Sequence, residues 1–309
     1  MTNKKQVLIT GATGLVGSRL TELLIEQGHT VKHLVRNPKS EGSISSYKWD
    51  VEKGTIDVAA FDNTDAIVHL AGAGIAEHRW TPQYRRQIID SRIQSTTLLI
   101  KSLRNSLQHR VSTFVGASAV GFYGNRGNQV LAETAPPQEN DFLSHTTQLW
   151  EQSYLPLSLE LGMRTCVLRI GIVLSTKGGA LPKTDLPIRL GAPGVYFGTG
   201  QQFYSWIHID DLCRLFIATI ENPSMDGVYN AVAPQPVTNK EFTHAIARAL
   251  DKWDIALPLP EWTLRLGMGQ MADVVLHSAN ASSSKVEKTG FNFLYPDLLE
   301  ALKNLYGKS

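Results

Sequence analysis

The segment ITGATGLVG, residues 9–17, constrains the fold of this 309-residue chain more than any other. Three glycines stand there at GxxGxxG spacing, between the β-branched run QVLIT (6–10) and a helical pattern over 14–27. This arrangement lets the backbone approach a diphosphate and turns a helix N-terminus toward its charge. We therefore predict that a dinucleotide binds to Gly11, Thr13, Gly14, Leu15, Val16 and Gly17. The alternative is a tight strand-to-helix turn without a ligand.

Strand and helix patterns alternate beyond this loop. Apolar β-branched runs at 30–35, 66–71, 113–119 and 164–174 are interleaved with helical periodicity at 81–107 and 144–162. Such alternation predicts an α/β fold, a Rossmann-like doubly wound parallel sheet. We assign residues 1–175 to an NADP-binding domain, whose sheet also has candidate strands near 206–233. Residues 176–309 are assigned mostly to a smaller substrate-side lobe, and the glycine and proline-rich sequence at 178–202 predicts loops there. The segment TNKE (238–241) predicts a helix start with a capping box, in which Thr238 caps the helix and Glu241 bonds back.

The ends of the next predicted strands bear on the choice of dinucleotide. An NAD-binding protein usually has an acidic residue after the second strand, where this chain has Arg36, which favours the 2′-phosphate of NADP(H) over NAD(H). A solvated arginine is the alternative. Asp50 ends the third predicted strand and is a candidate partner of the adenine amino group, or else a surface carboxylate. The next strand end, with Leu70, Ala71 and Gly72, is predicted to let its backbone lie against the cofactor. The alternative is that Gly72 serves packing alone.

Composition argues against several classes of partner. The net charge is +2 with 19% charged residues, and no basic stripe is present, so nucleic acid is not an expected partner. The sequence has no cleavable leader pattern and no apolar run of about 18 residues, so we expect a cytoplasmic protein without membrane contact. Cys166 and Cys213 lack metal-ligand spacing and are predicted to be buried free thiols, with no metal site.

Several motifs, taken in order, resemble a known superfamily. The glycine loop, HLAG (69–72), Ser118 after the fifth predicted strand and WIHIDDL (206–212) are similar to those of extended short-chain dehydrogenases/reductases, which include sugar-nucleotide epimerases. RWTPQYRRQIIDSRIQST (79–96), GASAVGFYG (116–124) and VYNAVAPQPVTNKEF (228–242) resemble the atypical YfcH-like epimerase family more narrowly. The resemblance covers essentially the whole chain, and residues 255–305 look like that family's small domain of unknown function.

Typical members of the superfamily have a Tyr and a Lys four positions apart as the acid/base pair, but none of the nine tyrosines here has a Lys four residues on, a trait shared by the narrower family that the chain resembles. Thr146 and Trp150 stand at the nearest positions, within SHTTQLWEQ (144–152). Ser118 matches the superfamily's carbonyl-polarising serine, and Tyr123 is the nearest candidate phenol, or a packing aromatic. In the cluster His208, Asp210 and Asp211, an aspartate that caps the next helix is the expected role.

These observations predict an NADP(H)-binding, atypical oxidoreductase or epimerase-like protein in which Ser118 assists, with Tyr123 or a water as proton donor. Its partners would be a dinucleotide and an unidentified small molecule, such as a nucleotide sugar or another carbonyl or hydroxyl compound. The arginines that could anchor an anionic substrate, or be solvated, are Arg79, Arg86 and Arg189. The alternative function is a non-catalytic NADPH-dependent binding or sensor module. The sequence leaves the oligomeric state open.

Overall fold

The computed structural model describes residues 4–38, 44–106 and 109–308. The strands are β1 (Gln6–Thr10), β2 (Thr30–Val35), β3 (Ser45–Asp50), β4 (Thr55–Ile56), β5 (Ala66–His69), β6 (Thr113–Ala119), β7 (Val130–Leu131), β8 (Arg164–Ile170), β9 (Ile172–Leu174), β10 (Gly194–Phe197), β11 (Phe203–Tyr204), β12 (Trp206–His208), β13 (Gly227–Ala231), β14 (Val237–Thr238), β15 (Ala256–Leu259) and β16 (Asn280–Ala281).

The helices are α1 (Leu15–Glu26), α2 (Pro82–Asn105), α3 (Phe142–Leu159), α4 (Leu181–Arg189), α5 (Ile209–Glu221), α6 (Asn239–Ala249), α7 (Glu261–Met268), α8 (Asp273–Leu276), α9 (Ser284–Glu287) and α10 (Leu298–Leu305). Short 3-10 turns occupy Val58–Phe61, Val120–Tyr123 and Gly269–Ala272.

One large sheet with the strand order β13-β8-β6-β5-β1-β2-β3-β4 organises the protein. Its first seven strands in that order pair in parallel, and β4 is antiparallel to β3. The predicted α/β class with a Rossmann-like sheet is confirmed. The order reverses between β1 and β5, which is the position where doubly wound sheets bind their ligands.

Both faces of the sheet are covered, because alternate residues of its central strand enter different cores. Val7 and Ile9 of β1 pack with α1 and α5, whereas Leu8 packs with α2 and α3. Parallel sheets require such cover on both sides, and this explains the nearly continuous apolar strands in the sequence. The predicted buried free thiols are also observed, since Cys166 and Cys213 are both buried and free.

The apolar run at 164–174 forms two strands instead of one. β8 belongs to the large sheet, whereas β9 leaves it and pairs with β12. The break occurs at Gly171, where an added Cβ would lie 2.3 Å from the carbonyl oxygen of Ser205. The chain therefore changes sheets where a side chain could not fit.

The prediction of loops throughout residues 178–202 is wrong in part. Helix α4 and strand β10 form within this range, and Pro182 sits in the first turn of α4, where a missing N–H is tolerated. Leu181 and Ile188 provide an apolar face that packs against α6 and α10. Burial of this face outweighs the unfavourable Pro187 inside the helix.

Of two predicted helix starts, the capping box of α6 is confirmed and the aspartate cap of α5 is wrong. α6 begins with a complete capping box, in which the Thr238 hydroxyl accepts from Glu241 N and the Glu241 carboxylate accepts from Thr238 N. α5, by contrast, is capped by His208, whose Nδ1 accepts from Asp210 N at 3.1 Å. The expected aspartate cap is therefore wrong, because both aspartates lie inside the first turn and pair elsewhere.

No helix within residues 4–38, 44–106 and 109–308 is both long enough and apolar enough to cross a membrane.

The change of sheets at Gly171 predicts a large penalty for Gly171→Ala. The added methyl would collide with the Ser205 carbonyl, so we expect a loss of about 1–3 kcal/mol in the free energy of unfolding, measured by urea denaturation. Gly267→Ala is the matched control, since nothing lies within 4 Å of its added Cβ. Equal stability of the two variants would contradict the steric account.

Candidate functional site

The glycine loop lies between β1 and α1 at the carboxyl edge of the sheet. An added Cβ at Gly11 would lie 2.8 Å from the Leu70 carbonyl carbon, and one at Gly17 would lie 2.4 Å from Gly11 O. Gly14 is the N-cap of α1 and supplies no side-chain cap, so first-turn amides of the helix lack a side-chain partner. The backbone is therefore shaped for a diphosphate, and Thr13 and Gly14 are exposed.

The neighbouring strand end is fixed by a buried polar cluster. Thr10 Oγ1 lies 2.7 Å from His69 Nδ1 and accepts from the amides of Leu70 (3.1 Å) and Ala71 (3.2 Å). Since Thr10 Oγ1 accepts from those amides, its proton points to His69. His69 Nε2 in turn lies 3.1 Å from Ser95 Oγ. Burial and the nearby Arg92 lower the pKa of His69 to about 3, so the ring is neutral and holds Leu70, Ala71 and Gly72 beside the glycine loop.

A cavity of about 470 Å³ opens beside the glycine loop. Thr13, Gly14, Leu15 and Ser18 line one side. Its other walls include the loop that follows β9, with Ser175, Thr176 and Lys177, which sequence reasoning did not identify. The Leu15 side chain lies close to Gly178 and Gly179, since a Cβ added at either glycine would be 3.5–3.6 Å from a Leu15 methyl group, and the two loops are therefore adjacent.

The residues predicted to select the adenine half lie at adjacent strand ends. Arg36 directly follows β2 and is exposed, and Asp50 is the last residue of the neighbouring β3. The Asp50 carboxylate accepts from Lys53 N at 3.0 Å, which closes a turn. The positions agree with the predicted order along the sheet, and the cofactor roles of both residues stay predictions.

Ser118 belongs to a buried network with an ion pair at its centre. Its hydroxyl, in a residue only 3% exposed, donates to Glu151 Oε1 at 2.6 Å. Arg169 donates two hydrogen bonds to the same carboxylate, from Nε and Nη2, each at 2.8 Å. Burial alone would lower the pKa of the Arg169 guanidinium, but the bonds and attraction to Glu151 raise it above its ordinary value. The Glu151 side chain therefore accepts hydrogen bonds from both Arg169 and Ser118.

Tyr123 lies at the other end of this network and is 0% exposed. Its hydroxyl donates to Asn230 Oδ1 at 2.7 Å and accepts from Arg169 Nη1 at 3.0 Å. Burial raises the pKa of this phenol, with Arg169 and Asn230 offsetting part of the effect. The phenol is thus neutral and fully engaged inside the protein, which favours the structural role that the sequence left open.

The helix expected to carry the Tyr and Lys pair is α3. Thr146 points its hydroxyl back to Phe142 O at 2.7 Å, and Trp150 packs against the guanidinium of Arg92. The polar group that α3 does supply is Glu151, one residue after Trp150. Sequence reasoning missed Glu151 and Arg169, although an arginine inside the apolar run of β8 indicated a buried charge that needs a partner.

The WIHIDDL motif joins α5 to the C-terminal segment. Asp210 pairs with Arg19 of α1 at 2.7 Å, and Asp211 accepts from the amides of Leu294 and Tyr295. These carboxylates therefore stabilise helix packing and a loop. His208 is 1% exposed, stacks on Tyr295 and lies in the wall of the 470 Å³ cavity.

The arginines considered as substrate anchors are dispersed. Arg79 donates to Gly267 O, Arg189 pairs with Asp185, and Arg86 is exposed on α2. A larger cavity of about 720 Å³ lies in the C-terminal half, between the turn after Tyr123 and the loop 197–203. Its arginine, Arg265, is already paired with Glu261 and Asp273. Most of its other lining groups are neutral.

Residues 7–233 match the family described as the NAD dependent epimerase/dehydratase family, and residues 259–305 match a domain of unknown function, DUF1731. The chain therefore belongs to the NAD dependent epimerase/dehydratase family. This is an NAD(P)-binding family, and the pairing with DUF1731 matches the atypical architecture inferred from the motifs. Epimerase family protein YfhF of Bacillus subtilis is 35% identical over 302 residues, which cover 97% of each chain. Epimerase family protein ML0860 of Mycobacterium leprae is 34% identical and covers 97% of this chain and 95% of its own.

Solved structures of similar proteins have the same fold. Human epimerase family protein SDR39U1, crystallised with NADPH, is 31% identical with a TM-score of 0.87, over 98% of this chain and 100% of that one. A nucleoside-diphosphate sugar epimerase from Corynebacterium glutamicum is also 31% identical, with a TM-score of 0.80, over 100% of this chain and 59% of that one. UDP-N-acetylglucosamine 4-epimerase from Bacillus cereus, at 18% identity and a TM-score of 0.78, shares the fold.

The neutral, buried His69 predicts a specific dependence of stability on pH. Its pKa is about 3 in the folded protein against 6.5 when unfolded, so the unfolded chain binds the extra proton and stability falls as pH drops below 6.5. Between pH 7 and pH 5 this residue should remove about 2 kcal/mol. We expect His69→Asn to lose about that much less stability over the same interval, measured by urea unfolding. Identical losses in both proteins would refute the burial of a neutral ring.

Proposed function

We propose that this protein is an NADP(H)-dependent oxidoreductase-like enzyme that transfers hydride between the nicotinamide and a carbonyl or hydroxyl substrate. The observation that carries the proposal is the order of groups along the carboxyl edge of the sheet. Arg36 follows β2, the glycine loop follows β1, Leu70 to Gly72 follow β5, and Ser118 lies near the end of β6. Three strand spacings, about 14 Å, separate β2 from β6.

This order suits an extended dinucleotide. In the proposal, Arg36 binds the 2′-phosphate, Asp50 meets the adenine amino group and the glycine loop holds the diphosphate. The residues that would form the remaining backbone contacts are Thr13, Leu15, Val16, Leu70, Ala71 and Gly72. The bound nicotinamide supplies the hydride donor or acceptor. The NADPH in the similar human protein supports the choice of cofactor.

Ser118 and Glu151 provide a route for the proton in place of the absent Tyr and Lys. Because the Ser118 hydroxyl donates to Glu151, its oxygen has lone pairs left to accept a hydrogen bond from a substrate hydroxyl. As that substrate is oxidised, its proton passes to Ser118 Oγ while the Ser118 proton passes to Glu151. Reduction of a carbonyl uses the same groups in reverse, after Glu151 has taken up a proton.

Tyr123 has two candidate roles, as a proton donor or as a positioning residue. As a proton donor it would have to break its bond to Asn230 and reach the cleft, whereas as a positioning residue it only has to hold Arg169. Its complete burial favours the second role. The substrate in this proposal carries a hydroxyl or carbonyl group, and a nucleotide sugar is one candidate, by analogy with the sugar epimerase from Corynebacterium glutamicum.

One observation favours a different function, a non-catalytic NADPH-binding sensor. Both hydroxyl protons of the predicted catalytic pair, Ser118 and Tyr123, are donated to protein groups. A sensor would use the same cofactor contacts but would need no proton route. The two functions are separated by turnover, since both require dinucleotide binding.

The position of Arg36 predicts tighter binding of NADPH than of NADH. One charge-assisted contact with the 2′-phosphate should favour NADPH by about 1.5–3 kcal/mol, and Arg36→Ala should remove most of this difference. Titration of the protein with each dinucleotide, followed by fluorescence, measures it.

Arg104→Ala is the matched control, because Arg104 is an exposed arginine at the distal end of α2, paired with Glu160. It should leave both affinities unchanged. Equal affinities of the unsubstituted protein for NADPH and NADH would return Arg36 to the role of a solvated arginine.

The Ser118 to Glu151 contact predicts which substitutions affect turnover. With a substrate found by screening alcohols, carbonyl compounds and nucleotide sugars, Ser118→Ala should lower kcat by about 100-fold to 1000-fold. The NADPH affinity should change little, since the predicted diphosphate contacts lie elsewhere. Steady-state kinetics and fluorescence titration give the two quantities.

Thr146→Ala serves as the control from α3, because its hydroxyl bonds only within its own helix, and it should retain turnover. Tyr123→Phe tests the phenol, because this substitution should reduce kcat strongly only if the Tyr123 hydroxyl donates the proton. Full activity of Ser118→Ala would make that serine structural. NADPH binding without turnover of any screened substrate would favour the sensor.

A further inference from the structure

Arg92 of α2 is a buried cation without an acidic partner among the residues that the structure describes. The residue is 8% exposed, and its guanidinium lies 4.6 Å from the centre of the Trp150 ring. Nη1 donates to the carbonyls of Ile88 (2.8 Å) and Ala73 (3.1 Å). The titratable groups that influence the pKa of Arg92 are the phenols of Tyr84 and Tyr154, whose own pKa values are raised by burial, and no carboxylate is among them.

The guanidinium lies directly beside the strand end that faces the glycine loop. A Cβ on Gly72 would be 3.4 Å from the guanidinium carbon. Gly72 follows Leu70 and Ala71, whose amides are fixed by Thr10, and Gly11 packs against Leu70. Arg92 and the glycine loop therefore both pack against the strand end 70–72, and Arg92 lies on the side of α2 and α3.

Among the described residues, no negative charge offsets the burial of the Arg92 guanidinium. Arginines are rarely buried unless a negative charge accompanies them, and two carbonyl acceptors replace only part of the lost hydration. Burial lowers the pKa of Arg92, yet a guanidinium stays protonated in proteins. The contrast with Arg169 is informative, since that equally buried cation holds Glu151 with two bonds. A bound anion would give Arg92 the partner it lacks.

We propose that Arg92 binds a phosphate oxygen of the dinucleotide's diphosphate, from the Gly72 side of the cleft. This inference rests on the proposed function, because it requires a dinucleotide on the glycine loop. Because Gly72 has no side chain, the guanidinium packs directly against its backbone, and the contact with Trp150 fixes the plane of the guanidinium. Arg92 thus supplies a cation in the cleft of a protein that lacks the Lys of the usual pair.

The test compares Arg92→Gln with Arg92→Lys in the full-length protein. Both diphosphate-containing ligands, NADPH and NADH, should bind to Arg92→Gln roughly 10-fold to 150-fold more weakly, and by the same factor, because Arg92 does not meet the 2′-phosphate. Arg92→Lys keeps the charge and should lose less. Inorganic diphosphate should displace NADPH from the unsubstituted protein at lower concentration than from Arg92→Gln.

Arg85→Gln is the matched control on the same helix, because Arg85 also stacks on aromatic rings, those of Trp80 and Phe142. It should leave both dissociation constants within about twofold, as expected of a group without a contact to the ligand. Unfolding curves establish that each variant is folded. If Arg92→Gln does not fold, a weaker dinucleotide affinity in folded Arg92→Lys still supports the proposal.

Unchanged affinities for NADPH and NADH in folded Arg92→Gln, or in folded Arg92→Lys where the glutamine variant does not fold, would overturn the inference. A loss confined to NADPH would also overturn it, because Arg92 would then act at the 2′-phosphate. Weaker binding of an anionic substrate with unchanged dinucleotide affinity would assign Arg92 to the substrate instead. Failure of the unsubstituted protein to bind either dinucleotide would be a failure of the proposed function, which is a separate outcome.

Discussion

The ion pair between Arg169 and Glu151 lies at the centre of a hydrogen-bond network that links β6, β8, β13 and α3. Its side chains are 4% and 13% exposed, so both charges have lost most of their hydration. Such a pair is tolerated only when geometry is good and the remaining donors and acceptors are satisfied. Arg169 meets this condition with Tyr123 and the Glu133 carbonyl, and Glu151 gains a third donor from Ser118. The orientation of Ser118 therefore depends on the pair.

The same pair changes the chemistry expected from the superfamily's pattern. That pattern supplies a phenol and an ammonium group from one helix, whereas α3 here supplies a carboxylate and β8 supplies the cation. A carboxyl group with an ordinary pKa is already ionised at neutral pH and can accept a proton. A phenol with its ordinary pKa near 10 is not, and it would need a lowered pKa to act as a base. In the proposed mechanism, a proton route through Ser118 replaces the one that the absent Tyr and Lys pair would supply.

Sequence patterns predicted the parts of the molecule governed by local rules. β1, β2 and β6 fall on the apolar runs, and the capping box at Thr238 forms as its spacing requires. The pairing of Glu151 with Arg169 was not predictable, since 18 positions separate them and only the packing of α3 on β6 and β8 brings them together. Helix α4 was missed for a related reason, because its stabilising contacts come from α6 and α10, distant in the chain.

The energetic cost of the network bears on whether the protein is an enzyme or a sensor. Replacing a buried ion pair by apolar side chains of similar size is often neutral or stabilising, so stability alone is a weak reason for Arg169 and Glu151 to be there. A sensor needs contacts to its dinucleotide, and neither side chain lies at the glycine loop. In the proposed mechanism, by contrast, a carboxylate that accepts the proton of Ser118 has a use in hydride transfer. The buried pair therefore favours chemistry over sensing.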